Sequence, residues 1–273
     1  MRYAVLSDIH GNLHALRAVL DAVREDGIDE YICAGDLVGY GPFPNECVQL
    51  VADRSMIAVA GNHELMVLGR LGTRYCTGTA RATVEWTRSA LTDRTRRFLA
   101  GLPERLVLAE HGICLTHGAL DQPWRYVTTA TQATEQLDRL AVEVPGGTLL
   151  VLGHTHRPWL YAYGHGTVVA RSPGAARLAG SPRYLLNPGS VGQSRDDLDR
   201  ARFAVLDTTR RWVHFRSIRY DVRGCRRALR SAGLPVDACH HRSPVPVRAG
   251  RAVMRAARAA VGVEGGEHRG QEP

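Results

Sequence analysis

The residues best suited to chemistry come in short polar groups that follow apolar runs. Gly153-His154-Thr155-His156 follows Leu149-Leu150-Val151-Leu152 and precedes Arg157-Pro158. Two imidazoles two residues apart on a glycine turn point in different directions, which suits two metal ions side by side, one for each ring. A lone His-x-His reads more readily as a pair of loop histidines without a ligand, so its meaning depends on the rest of the chain. Four further groups bear on it: Asp8-Ile9-His10-Gly11-Asn12, Gly35-Asp36, Gly61-Asn62-His63-Glu64 and Thr116-His117-Gly118. Together the five groups offer Asp8, His10, Asp36, Asn62, His117, His154 and His156, an oxygen and imidazole set without thiolate. Such donors suit borderline divalent ions, with manganese as the first choice and iron, zinc, nickel or cobalt as alternatives, better than a structural zinc. Asp36 is the candidate bridge between two ions, because one carboxylate carries two oxygens. Two cations roughly 3.5 to 4 Å apart can clamp a phosphoryl group and acidify a water near neutral pH. A departing alkoxide then needs a proton, and His63, next to Asn62, is placed to be the general acid.

These groups need strand ends to aim them. Residues 3–7 read as a strand that delivers Asp8, and Leu13, Leu16, Val19, Leu20 and Val23 then recur at helical spacing, with Gly27 as a stop. Residues 31–34 read as a strand before Asp36, 44–51 as a helix, and 56–60 as a strand before Asn62. Residues 76–102 read as helical and Arg-rich, without obvious chemistry. A hairpin of 105–108 and 112–115 leads to His117, and a helix over 131–140 precedes the run that ends at Gly153. Five β segments follow, 159–163, 166–170, 184–186, 201–207 and 211–220, with Asn187-Pro188-Gly189-Ser190-Val191-Gly192 among them as a rigid loop. An alternating β/α half followed by a β half predicts an α/β protein with a second sheet packed on the first. Its chemistry belongs at the carboxyl edge of the strands.

Asp-x-His, Gly-Asp, Gly-Asn-His-Glu, His-Gly and Gly-His-x-His, in that order and spacing, resemble the calcineurin-like metallophosphoesterase superfamily. The resemblance covers residues 1–221 and includes the 187–192 loop, which recurs in small bacterial members. It implies a four-layer α/β/β/α sandwich of two mixed sheets. It also implies one metal held by Asp8, His10, Asp36 and His156, a second held by Asp36, Asn62, His117 and His154, and a hydroxide shared between them. One motif departs from the pattern. Protein serine/threonine phosphatases continue Gly-Asp as Gly-Asp-x-Val-Asp-Arg-Gly, whereas this chain has Gly35-Asp36-Leu37-Val38-Gly39-Tyr40-Gly41. The aspartate partner of the general acid and a phosphate-binding arginine are missing from it. The expectation is therefore a small-molecule or nucleotide phosphatase or phosphodiesterase rather than a protein phosphatase. Its alternatives are a non-catalytic scaffold of the same fold and a nucleic-acid-processing phosphodiesterase.

Asn12 and Tyr40 directly follow ligand residues and are candidates to touch the phosphate or leaving group, though Asn12 is equally suited to cap the helix after it. Trp124 and Tyr126 read either as a stacking platform for a nucleobase or as cover for the sheet edge. Arg195 reads as a solvent-exposed arginine among Asp196, Asp197 and Asp199 in preference to a phosphate ligand.

The 273 residues, 44% of them hydrophobic, are enough for one large core. The expected domain is 1–235, with 236–273 as a basic, Arg/Ala-rich extension. Net charge is +8, and residues 222–273 hold 10 of the 35 basic side chains but 4 of the 27 acidic ones. Every basic side chain is arginine, which excludes P-loop and Schiff-base lysine chemistry. Arg248, Arg251, Arg255 and Arg258 recur at helical spacing, a pattern able to bind phosphate backbones, although a solvated tail is the favoured reading. Six scattered cysteines, the lack of an eighteen-residue apolar run and the short apolar stretch before Asp8 lead to an expectation of reduced thiols, a cytoplasmic location and no membrane partner.

Overall fold

The computed structural model describes residues 1–240 apart from 75, 196 and 197. The first half alternates as the pattern requires: β1 (Arg2–Leu6), α1 (Leu13–Ala22), β2 (Glu30–Cys33), α2 (Pro44–Asp53) and β3 (Ile57–Ala58). Three helices follow, α3 (Asn62–Val67), α4 (Gly78–Ala90) and α5 (Asp93–Ala100), and then the hairpin of β4 (Arg105–Leu108) and β5 (Ile113–Thr116). After α6 (Ala130–Glu143) and β6 (Leu149–Val151) the chain is mostly strand. It runs through β7 (Trp159–Ala162), β8 (Gly166–Val169), β9 (Gly174–Arg177), β10 (Tyr184–Asn187), β11 (Ala201–Asp207) and β12 (Trp212–Ile218), and α7 (Val222–Ser231) follows.

Two six-stranded mixed sheets result, ordered β3-β2-β1-β11-β12-β9 and β4-β5-β6-β10-β7-β8. In β1, Tyr3 and Val5 face the layer between the sheets, while Ala4 and Leu6 face the helices. In β6, Leu149 and Val151 face that middle layer and Leu150 packs under α6 with Leu137 and Leu140. Strands covered on both faces need unbroken apolar runs, which is why these segments do not alternate. Helix, sheet, sheet and helix thus stack as the four-layer α/β/β/α sandwich expected from the sequence.

The differences lie where hydrophobic pattern is weak. The strands after residue 158 do not form one sheet: β7, β8 and β10 extend the sheet of β6, while β9, β11 and β12 join β1. The reason is that β11 is buried along its whole length and fits beside β1. Strand β3 is two residues long rather than five, because the Ala60 N–H leaves the ladder to bond the Pro103 carbonyl. Strand β9, sequence GAAR, has no strand-forming side chain and exists as an edge held by β12. Helix α7 was hidden by arginines; its buried stripe is Cys225 and Leu229, packed with Leu234, Ala238 and Cys239. The compact body therefore continues past residue 235, and Met1–His241 forms one unit. The rest of the Arg/Ala-rich extension lies outside the described residues. All six cysteines are free, and among the described residues no helix is long and apolar enough to cross a membrane.

Candidate metal centre

The carboxyl ends of β1, β2, β5 and β6 and the start of α3 converge on one buried cluster. Three groups of donor atoms there lie within 4.8 Å of one another: Asp8, His10 and His156; His10, Asp36 and His63; and Asp36, His117 and His154. Asp36 and His10 link the three groups. The Asp36 Oδ2 lies 3.1 Å from His117 Nε2 and 3.7 Å from His10 Nε2, so one carboxylate faces both halves of the cluster. Asp8 Oδ1 lies 3.1 Å from His156 Nε2, and Asn62 Oδ1 lies 3.0 Å from His117 Nε2. Every residue expected as a ligand from the sequence is therefore drawn into this one place.

The backbone bends sharply to bring them there. Asp8, His10, Asp36, Tyr40, His154 and His156 all adopt positive φ, between 51° and 66°. Each costs of order 1–3 kcal/mol for a residue with a Cβ, and such strain gathers where a side chain is needed at a place that glycine would fill more easily. Gly153 shows the opposite requirement, since a Cβ there would overlap Ser7 and press on Asp8 Oδ2.

Backbone carbonyls then fix each ring. A carbonyl only accepts, so the facing ring nitrogen must carry the proton. His10 Nδ1 donates to Val38 (3.1 Å), His117 Nδ1 to Ala34 (2.7 Å), His156 Nδ1 to Gln193 (2.5 Å) and His154 Nε2 to Trp124 (2.9 Å). The other nitrogen of each ring is left facing the cluster, the usual arrangement of metal-binding histidines. His10 Nε2 and His156 Nε2 consequently meet at 3.1 Å. Two lone pairs so placed repel unless a positive charge sits between them. The donor set thus fits cations.

Protonation agrees with this. Burial pulls His154 down to about 3, with the His117 charge adding to it. Burial likewise lowers His10 and His156, so these three rings are neutral near pH 7. Burial would raise Asp36 and Asp8, but the positive charge that His117 beside the first and His156 beside the second carry when protonated holds both well below the usual carboxylate range. Burial would also lower His117, yet Asp36 and Asp8 carry it up to about 9. Ionised carboxylates and neutral imidazoles are the forms that take up metal, and His117 would release its proton on doing so.

His63 lies against the cluster, its ring 4.7 Å from that of His10 and 4.8 Å from that of Tyr40. Its backbone N–H donates to Asp36 Oδ1, and its ring Nδ1 is buried with no hydrogen-bond partner among the described residues. Burial brings it down to about 4, against the pull of Asp36 and with the push of His117. Asn12 is buried, its Oδ1 accepts from the Ala15 N–H to cap α1, and its amide donates to the Gly192 carbonyl. Tyr40 lines the site, while Tyr126 stacks on His154 at 3.9 Å. Trp124 and Tyr126 are both 44% exposed at the mouth. Arg195 departs from expectation, since it is half-buried and its guanidinium donates to Tyr126 Oη (3.2 Å).

Sequence reasoning missed Glu64. Its carboxylate accepts the N–H groups of Asp36 (2.8 Å), Val38 (3.1 Å) and Gly61 (2.7 Å), and so ties the start of α3 to the Asp36 turn. It also missed Ser190, whose hydroxyl donates to the Asp8 carbonyl. The Glu of Gly-Asn-His-Glu was the available signal for the first, and the rigid 187–192 loop for the second. A separate concavity of about 400 Å³ lies at the opposite end of the first sheet, where Arg2 begins β1. Its charges are already paired, Arg2 with Asp207 and Arg216 with Asp26.

Fold and cluster together define a phosphoesterase-type α/β/β/α protein. Residues 1–211 match the profile of the calcineurin-like phosphoesterase superfamily domain, and the chain belongs to that superfamily. It is similar to a metallophosphoesterase from Sphaerobacter thermophilus, with 31% identity, a TM-score of 0.75 and coverage of 88% of this chain and 97% of that one. An uncharacterized protein of Methanocaldococcus jannaschii is 33% identical over 226 residues, 81% of this chain and 88% of the relative. A hypothetical protein from Pyrococcus horikoshii shares the fold at a TM-score of 0.70 and 21% identity, covering 87% of this chain and 96% of its own.

Proposed function

We propose that this chain hydrolyses a small-molecule or nucleotide phosphate ester at a centre of two divalent ions. One ion would be held by Asp8, His10, Asp36 and His156, the other by Asp36, Asn62, His117 and His154. The observation that carries the reading is Asp36, buried, ionised and facing both halves of the cluster. Manganese is the first choice, because oxygen and imidazole donors are mixed and thiolate is absent. Bound there, two such ions would polarise the phosphoryl oxygens and make a water acidic enough to attack near neutral pH.

The chain's own residues orient and protonate. The four carbonyl-anchored rings hold their inward nitrogens in place without reorganisation. His63 holds a proton at the leaving oxygen. It is neutral near pH 7 while the site is empty of substrate, and the negative charge of a bound phosphate stabilises its protonated form. Trp124 and Tyr126 at the mouth offer apolar faces to a leaving group.

The test is hydrolysis of para-nitrophenyl phosphate and its bis-ester by metal-stripped protein with manganese, nickel, zinc or magnesium added back. Activity should return with metal and fail to return in Asp36→Asn; no activity with any of these ions would contradict the reading. In the same assay His63→Ala should lose roughly 2 to 4 orders of magnitude on alkyl esters and less on aryl esters, since proton donation matters most for a basic leaving group. An equal loss on both would remove His63 from that role.

A further inference from the structure

The Gly-Asp motif of this chain lacks the arginine that follows it in protein phosphatases, and Tyr40 stands in that place. A guanidinium nevertheless reaches the cluster from elsewhere. Arg195 lies two residues beyond Gln193, whose carbonyl holds His156. Its Nη1 donates to the Tyr126 hydroxyl at 3.2 Å, and Tyr126 is the ring stacked on His154. Its Nη2 approaches Gln193 Oε1 at 3.5 Å. Arg195 is therefore attached to both halves of the cluster, through Tyr126 to His154 and through Gln193 to His156. The charge is felt across the site: it pushes down His63 and His156 and lowers Tyr40 against the rise that burial causes. Its Nε is buried and has no acceptor among the described residues. No carboxylate among the described residues forms an ion pair with it. A half-buried arginine whose buried Nε donor is unmet among the described residues, beside a cluster suited to metal, is placed to receive an anion.

We propose that Arg195 is the phosphate-binding residue of this site, held at its mouth by Tyr126 and Gln193, and that its ligand is the ionised terminal phosphoryl group of the substrate. The proposal rests on the phosphoesterase reading above and sharpens it. A guanidinium gains most from a dianion, so the site favours phosphate monoesters over diesters. The placement of Arg195 also accounts for Gly39-Tyr40: with the guanidinium supplied by the segment after the 187–192 loop, the motif position is left to Tyr40, whose ring packs against His10 and His63.

The experiment titrates inorganic phosphate into the metal-loaded full chain by calorimetry, a readout independent of turnover. Wild type is compared with Arg195→Ala, Arg195→Lys and Tyr126→Phe, and each variant's metal content and melting temperature are measured alongside. Arg195→Ala should weaken phosphate binding roughly 10- to 100-fold at unchanged metal content. Lysine should recover part of that loss, because it restores charge without the planar fork. Tyr126→Phe should cost a few-fold, and should Arg195→Ala fail to fold, this variant and Arg195→Lys carry the comparison. In hydrolysis Arg195→Ala should raise KM more for the monoester than for the bis-ester. Phosphate bound equally well by wild type and the arginine variants, or not bound by wild type, overturns the assignment. Arginine-dependent phosphate binding without hydrolysis would leave it standing while removing the enzymatic reading; hydrolysis with arginine-independent binding would do the reverse.

Discussion

At Gly39 the chain has dispensed with a side chain that protein phosphatases keep, and the structure shows why the change is not reversible by one substitution. Gly39 sits at φ +86°, and a Cβ there would overlap the Nδ1 side of the His63 imidazole. The space that a partner carboxylate would need is filled by the histidine ring itself. Gly39→Asp restores the phosphatase spelling and should still slow hydrolysis rather than speed it. It adds roughly 1–3 kcal/mol of backbone strain and displaces the proposed proton donor from Asp36 and Tyr40. Steady-state rates on an alkyl phosphate would show this; a variant faster than wild type would mean that His63 was waiting for a carboxylate partner. The same scale explains why Arg195 misled the sequence reading. Three aspartates within four residues suggest a solvated neighbour, and nothing in residue order reveals that the side chain meets Tyr126.

At the scale of elements, the cluster depends on how the end of β2 is joined to the start of α3. Glu64 makes that join with three backbone N–H groups, one of them that of Asp36 itself. Burial and the Asp36 charge push this carboxyl up to about 7, while the Gly61 and Val38 N–H groups hold it down. Glu64→Gln keeps the shape but offers one accepting oxygen in place of two, so one N–H group meets an amide NH2. The expected cost is about 1–3 kcal/mol in stability, together with a larger loss in metal affinity, because Asp36 and His63 both move with this turn. Metal titration and thermal melting separate the two effects, and an unchanged metal affinity would confine Glu64 to a structural part. The elements also show what residue order could tell. The runs at 3–7 and 149–152 are apolar enough on both faces to announce buried strands, and they place Asp8, His154 and His156 correctly. What was not legible was held by backbone: the carbonyls of Ala34, Val38, Trp124 and Gln193 that set the ring tautomers have no side-chain signature. Strand β9 is alanine and glycine held by its neighbour, and the alternation of β/α followed by β does not say which sheet each late strand joins.

At the scale of the molecule, three apolar layers between and outside the sheets are independent of the cluster, so removing metal should loosen the protein without unfolding it at 25 °C. The metal-free form has its own pH dependence. His117, raised to about 9 by Asp36 and Asp8, is protonated in the folded chain and neutral in the unfolded one above its ordinary value of about 6.5. Its contribution to stability is complete below pH 6.5 and is lost as pH rises through 9. The shift is worth about 3 kcal/mol, since each unit is 1.36 kcal/mol. At roughly 2–4 °C per kcal/mol, the melting temperature of chelated protein should fall by several degrees, on the order of 6–12 °C, between pH 6.5 and 9. With metal bound there is no His117 proton left to lose, so that decline should be absent and the whole curve should lie higher by the binding free energy. Thermal melts at half-unit steps of pH, with chelator and with manganese, decide between the two. Parallel curves would show that His117 does not exchange its proton for metal, and would take the second ion out of the proposed centre.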